Sequence, residues 1–290
     1  YVIGLLLFSL LSAFTLGSFG TEGRSFLDDL MQADGRNLFS AFLGGVVFNA
    51  SNILLAAAVA LCGMSVAFPV GVGLALVLGV LINYFGAAKG DPLFIFLGVA
   101  LIAAAIVMNG LAYRMARTGK RKLTAKGLLI SVAAGTIMAF FYRFVASSMD
   151  LDSFTAPAAG KMTPYTAVVV FATGVFVSNF LFNTIAMKCP VEGTPVRPSE
   201  YFGGTFRTHL VGMLGGAIWC LGESFSMIAS GKAGAAISYG LGQGATLVSA
   251  LWGILIWKEF RGAPGASVLC NAGMFVLFLA GLGLLIYAGA

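Results

Sequence analysis

The chain has 290 residues, a mean hydropathy of +0.96, 59% hydrophobic residues and only 10% charged ones. That composition excludes a soluble globular enzyme and supplies apolar sequence for roughly ten membrane spans of about 20 residues each. The net charge of +6 does not point to nucleic acid, because the basic residues gather in short loops between apolar segments, where they set topology.

In chain order the pattern predicts an all-α polytopic membrane protein with nine spans. They are A 1–18, B 38–60, C 64–84, D 92–113, E 127–147, F 165–187, G 208–229, H 234–257 and I 267–288. The opening stretch YVIGLLLFSLLSAFTLGS lacks the charged start and small-residue cleavage site of a signal peptide. The loops are too short for a soluble domain, so the backbone must be satisfied by helices within lipid. The four cysteines, Cys62, Cys189, Cys220 and Cys270, show no CxxC spacing and read as free thiols, with no metal site.

Loop charge gives an orientation. The loops 114–126, 188–207 and 258–261 hold eleven Lys and Arg, against five on the opposite side, which also carries most of the acids. The positive-inside rule places those three loops in the cytoplasm and the C-terminus outside, in a plasma (inner) membrane.

Residues 43–84 align on 214–255 without gaps at a constant offset of 171. Nine of 42 positions are identical, among them Gly44/Gly215, Gly63/Gly234 and Gly71/Gly242. Roughly four identities would arise by chance in so Ala/Gly/Leu-rich a sequence. Helices B–C therefore read as copies of G–H. Five helix steps separate B from G, so the copies cross the membrane in opposite directions, an inverted-topology repeat. The expected halves are 1–118, with four helices, and 119–290, with five. The chain opens without Met, in apolar sequence, and a tenth helix is expected before it in a 5+5 plan.

Glu223 is the carboxylate that lies deep within a span, about 7 Å from the midplane of helix G at 1.5 Å per residue. An acid in hydrocarbon is costly and usually functional, which suggests a proton-coupling group; hydrogen bonding to neighbouring helices is the structural alternative. Its repeat partner is Asn52. Asn49 and Asn52 share one face of helix B, and Trp219 and Glu223 share one face of helix G. Together they offer an aromatic plane, amides and one acid, a set suited to a small polar solute, although amides also serve as packing links between membrane helices.

Helix H carries Gly240, Gly242 and Gly244 around Gln243, beside Tyr239. Its counterpart AFPVGVG, Ala67–Gly73, contains Phe68 and Pro69. Weakened helices at matching positions of two halves point to a transport site. Arg143 reads as a snorkelling side chain, Asn109, Asn179 and Asn183 as packing amides, and His209 as an interfacial residue. The sequence holds no hydrolytic triad, metal-ligand spacing or phosphate-binding loop.

Three stretches carry a family resemblance: AFPVGVGLALVLGVLINYF (67–85), GGAIWCLGESFSMIASGKAG (215–234) and YGLGQGATLVSALWGILIWKEF (239–260). They are similar to the drug/metabolite transporter superfamily and, within it, to the ureide permease group and its bacterial relatives. The glucose/rhamnose-type sugar transporters are the next nearest. The resemblance implies proton-coupled import of a small neutral polar solute, a ureide or nucleobase such as allantoin or uracil, with a sugar as the alternative. The residues themselves place the expected site among helices B, C, G and H, formed by Asn49, Asn52, Phe68, Trp219, Glu223, Tyr239 and Gln243. Plant ureide permeases carry a large central cytosolic segment with a nucleotide-binding-like motif. The basic linker here is short, so no cofactor is expected and the partners are solute, proton and lipid. A receptor or an embedded enzyme is the different-class alternative.

Overall fold

The computed structural model describes residues 1–19, 23–116, 124–258 and 260–289. Arg117, Lys120, Arg121 and Lys122 of the basic linker lie outside the described residues, as does the expected boundary at 118/119. The described residues are helical, with no strand among them. The helices are α1 Val2–Phe14, α2 Phe26–Gln32, α3 Gly35–Cys62, α4 Met64–Ala67, α5 Gly73–Gly86, α6 Pro92–Ala116 and α7 Ala125–Ser148. Then come α8 Pro164–Lys188, α9 Pro198–Phe202, α10 Phe206–Ala233, α11 Ala235–Gly242, α12 Ala245–Leu255 and α13 Gly265–Ala288. A π-helical turn, Phe68–Val72, joins α4 to α5.

Among the described residues, seven helices are long and apolar enough to cross a membrane. Predicted spans B to G and I coincide with them within a few residues. Span A is the 13-residue α1, and span H divides into α11 and α12. The division falls at Gln243–Gly244, where three glycines within five residues weaken the helix. The surface helices α2 and α9 are too short to have produced an apolar period. The protein is thus an all-α, multi-pass membrane protein.

Its helices form two packing units. The first takes Tyr1–Ala50 and Phe140–Ala235, the second Ser51–Ala139 and Ala236–Ala290. Each unit draws helices from both halves of the sequence.

In the first unit, glycines bring helices to backbone contact in reciprocal pairs. A Cβ on Gly45 would overlap the carbonyl of Phe171, and one on Gly174 the carbonyl of Phe42, so α3 and α8 meet backbone to backbone. Gly4 faces the Met213 carbonyl and Gly216 that of Tyr1, which seats α1 on α10 in the same way. Such contacts bind membrane helices where the lipid offers no hydrophobic drive to associate. Ser40 Oγ donates to Phe144 O at 2.7 Å, linking α3 to α7.

The second unit repeats the device. Gly135 of α7 lies against the Gly71 carbonyl, and Gly98 of α6 and Gly281 of α13 each lie against the other's carbonyl. At the α6–α13 seam the buried side chain of Ile102 lies against Gly281 and that of Leu285 against Gly98. Ser267 Oγ donates to Ala112 O at 2.6 Å at one end of that seam.

A constant offset of 171 residues carries the bounds of α3, Gly35–Cys62, onto those of α10, Phe206–Ala233. The turns that follow them share one backbone geometry: Gly63 has φ 84° and ψ 165°, and Gly234 has φ 84° and ψ 156°. Both lie in a region open to glycine and strained for other residues. The same offset sets the π-helical turn Phe68–Val72 against Tyr239–Gln243, the end of α11 and the break after it.

At one end of the first unit, α2 is clamped to the loop between α7 and α8. Asp29, with no exposed surface, accepts from Arg24 Nε at 2.9 Å and from the Thr163 amide at 2.8 Å. Arg24 also donates to the carbonyls of Pro157 and Lys161, at 3.0 and 2.8 Å. Gln32 and Asn37 close on Gly160, whose φ of +79° and contact with Asp34 leave no room for a side chain. In the same loop, amides of Ala158 and Asp152 donate to Asp150 and hold its carboxyl below the usual range. Any stability this contributes is present above the ordinary carboxylate range and lost as pH falls through the lowered value.

Replacing Asp29 with Ala leaves Arg24 Nε and the Thr163 amide without their acceptor and the Arg24 charge without its counter-ion. We expect a cost of about 3 kcal/mol and a fall in detergent thermal midpoint of roughly 5–10 °C. An unchanged midpoint in a fluorescence-monitored melt would show that the clamp is not structural.

Candidate functional site

α10 enters from Thr205, whose hydroxyl accepts from the Thr208 amide and caps the helix. One helical turn separates Trp219 from Glu223, so both project from one face. Glu223 is half-buried. Its Oε1 is fully buried and has no hydrogen-bond partner among the described residues. An acid so placed gains from carrying a proton or from meeting a hydrogen-bond donor, because a buried, unpaired acceptor is costly.

Trp219 sits in an aromatic cluster. Its ring lies 4.5 Å from Phe48 at 32° between planes and 6.0 Å from Phe171 at 24°. Tyr1 approaches it at 6.4 Å. Phe48 and Phe171 are buried against Phe141, at 5.1 and 5.7 Å. Phe48 reaches Phe171 because Gly45 and Gly174 let α3 and α8 close together one turn away. Trp219 remains partly exposed and so keeps accessible ring surface. Phe48 and Trp219 are also counterparts under the 171-residue offset.

Asn49 adjoins Phe48, but its amide points elsewhere: Nδ2 donates to Ser178 Oγ at 3.0 Å, which ties α3 to α8. Tyr142 of α7 donates to Ser226 O at 3.0 Å, fixing α10 one turn beyond Glu223. The first unit thus brings Trp219 and Glu223 together with Phe48, Phe141 and Phe171, and uses Asn49 as a brace.

The second unit holds Asn52, Phe68, Tyr239 and Gln243. Asn52, Phe68 and Gln243 are half-buried, and Phe68 opens the π-helical turn. Tyr239 is buried, with its ring on Gly79 and its hydroxyl donating to Ala75 O at 3.0 Å, so it locks α11 onto α5. The backbone amide of Gln243 bonds to Tyr239 O at 3.1 Å, and its own carbonyl accepts from Thr246 at the break. Asn109 is fully buried with both amide atoms lacking a hydrogen-bond partner among the described residues. His209 packs its ring on Tyr201 at 4.8 Å. Cys62 and Cys220 are buried and Cys189 is exposed, none of them in a disulfide, and Cys62 Sγ donates to Ala58 O at 3.1 Å.

Phe48, Phe141 and Phe171 went unnamed in the sequence reading. Nothing in the sequence separates them from the other phenylalanines, 25 in all, because an inward and a lipid-facing Phe are equally apolar.

Comparison with known proteins adds the family. A family model described as "Ureide permease" matches residues 1–126 and 114–288, two stretches that meet in the basic linker. The chain is similar to Ureide permease 1 of Arabidopsis thaliana, 22% identical over 98% of this chain and 87% of the relative. It is similar to Ureide permease 2 of the same plant, 23% identical with the same coverage. A further relative, Ureide permease 5, is 23% identical over 98% of this chain and 84% of its own length. The alignment with the first spans 339 positions, more than the 290 residues here, so that relative carries residues this chain lacks.

Tyr239→Phe keeps the ring on Gly79 and removes only the bond to Ala75 O. The expected outcome is a stability loss of about 1 kcal/mol with the fold retained. A much larger loss of solute affinity than of stability would instead assign the hydroxyl to the solute.

Proposed function

The chain belongs to the ureide permease family, and on that premise we propose that it is a proton-coupled importer of a small, neutral, planar ureide or nucleobase. The family is one of transporters, so the chain is a transport protein and not an enzyme. The observation that carries the reading is Glu223: a carboxylate oxygen buried without a partner, one turn from a half-exposed Trp219, within a permease. The indole face and its aromatic support suit a flat ring or ureide plane, and the acid suits N–H groups on its edge. Asn49, Asn52, Phe68, Tyr239 and Gln243 are proposed to act in solute binding as well, Asn49 and Tyr239 chiefly by holding helices in place.

Protonation of Glu223 removes an uncompensated charge, and the change between outward and inward states then becomes accessible with solute aboard. An inverted repeat of 1–118 and 119–290, within the drug/metabolite superfamily, is supported by the matched bounds of α3 and α10, the paired turns at Gly63 and Gly234, and the paired irregular segments. The loops 114–126, 188–207 and 258–261 would face the cytoplasm of a plasma membrane, by the positive-inside rule, in a bacterial member of the family. The plant relatives named above give the sugar reading no support.

In proteoliposomes, allantoin and uracil are expected to compete for binding where glucose and rhamnose do not; competition by the sugars alone would overturn the solute class. With an inward proton gradient, the native protein should accumulate solute above equilibrium, and Glu223→Gln should fall to passive equilibration with no pH dependence. Accumulation and pH dependence that survive in Glu223→Gln would remove the acid from the coupling step.

A further inference from the structure

Away from Trp219 and Glu223, the first unit contains a cavity of about 500 Å³ at the far end of α10, within the size range of small-molecule sites. Among the described residues it is lined by the turn from α1 into α2, the α7–α8 loop, the start of α8 and Ile228 of α10. Ile228 stands five residues beyond Glu223, a rise of about 7.5 Å and a turn of about 140° around the helix. The cavity therefore lies on another face of α10 and is not an extension of the site described above.

Its walls are held by bonds that need no ligand. Ser18 Oγ donates to Ala13 O at 2.7 Å and accepts from the Phe26 amide at 3.2 Å, which fixes the turn between α1 and α2. Tyr165 packs against the buried cluster of Ala13, Phe26 and Val169. A Cβ on Gly231 would overlap the Phe154 ring, so that ring rests on α10. Arg24, paired with Asp29, ties the turn to the carbonyls of Pro157 and Lys161. A site fixed in advance loses little ordering entropy when it fills.

Two rings and two polar groups decide what the cavity can take. Phe154 and Tyr165 are partly exposed, and each keeps ring surface for a flat molecule. Asp28 is exposed and has no ion pair among the described residues, while the Arg24 charge is met by Asp29. Asp28 Oδ2 accepts from Ser25 Oγ at 2.6 Å, which leaves Oδ1 for an N–H donor. Arg24 commits three of its five N–H groups to Asp29, Pro157 O and Lys161 O, and the other two remain for an acceptor. The uncompensated carboxylate disfavours an anion. A neutral flat molecule with N–H and C=O groups along its edge answers the rings and both polar groups.

We propose that this cavity is a second binding site for a neutral planar solute of the ureide or nucleobase class, its ring held by Phe154 and Tyr165 and its edge by Asp28 and Arg24. The choice of solute class rests on the transport reading above.

Equilibrium dialysis of labelled allantoin against the full chain in detergent provides the test. Two equivalents bound per chain are expected, one lost in Thr155→Trp and the other in Trp219→Ala. Thr155 is an exposed residue of the cavity wall, so the larger ring fills the space while the thermal midpoint stays unchanged. Asp28→Asn keeps the side chain's size and should weaken the cavity site about tenfold; an unchanged affinity overturns the proposal. Retention of all bound allantoin in Thr155→Trp overturns it too and leaves the site at Trp219 standing. Binding lost in Thr155→Trp but untouched in Trp219→Ala would instead sink the Trp219 site and leave the cavity. No binding to the native protein overturns both.

Discussion

Backbone contact through glycine is the constraint on which the rest of this structure depends. Apolar side chains gain little by moving from lipid to a helix interface, so helices associate through close packing and hydrogen bonds. Gly45 with Gly174, Gly4 with Gly216 and Gly98 with Gly281 bring carbonyls of one helix onto the α-carbon of the next. At those distances weak Cα–H···O contacts accumulate, and no larger residue can stand there. Two features of the candidate site follow from these approaches. Phe48 meets Phe171 because Gly45 and Gly174 admit it, and Trp219 meets Tyr1 because Gly216 does.

The polar residues divide by the state of their hydrogen bonds. Asn49, Ser40, Ser51, Tyr142, Tyr239 and Ser267 each bond to a partner on another helix and act as fixed links. Glu223 differs from these: one carboxylate oxygen is buried and lacks a hydrogen-bond partner among the described residues, as do both amide atoms of Asn109. In a low-dielectric interior that is an unstable condition unless a proton, a solute or another helix answers it.

Rigidity and irregularity are also distributed unevenly. The clamp of Arg24, Asp29, Gln32 and Asn37 on the α7–α8 loop fixes one end of the first unit with buried charge and several hydrogen bonds. In the second unit, the π-helical turn at Phe68–Val72 and the break at Gln243–Gly244 interrupt otherwise regular helices. Helix interruptions at membrane depth expose backbone groups that a solute can use, and they let a helix bend without losing its ends.

The sequence by itself determined the membrane class, the positions of the long helices, the 171-residue offset and the place of Glu223 within a span. Those properties rest on hydropathy, glycine spacing and charge, which act locally and leave a trace at each residue. Span H read as one helix from its hydropathy, although its glycines were already the signal for the break. The tertiary structure alone decided which phenylalanines surround Trp219, and that the Asn49 amide and Tyr239 hydroxyl are taken up by Ser178 and Ala75. Apolar residues facing lipid and facing protein have the same transfer energy. Only the packing of one helix against another separates them.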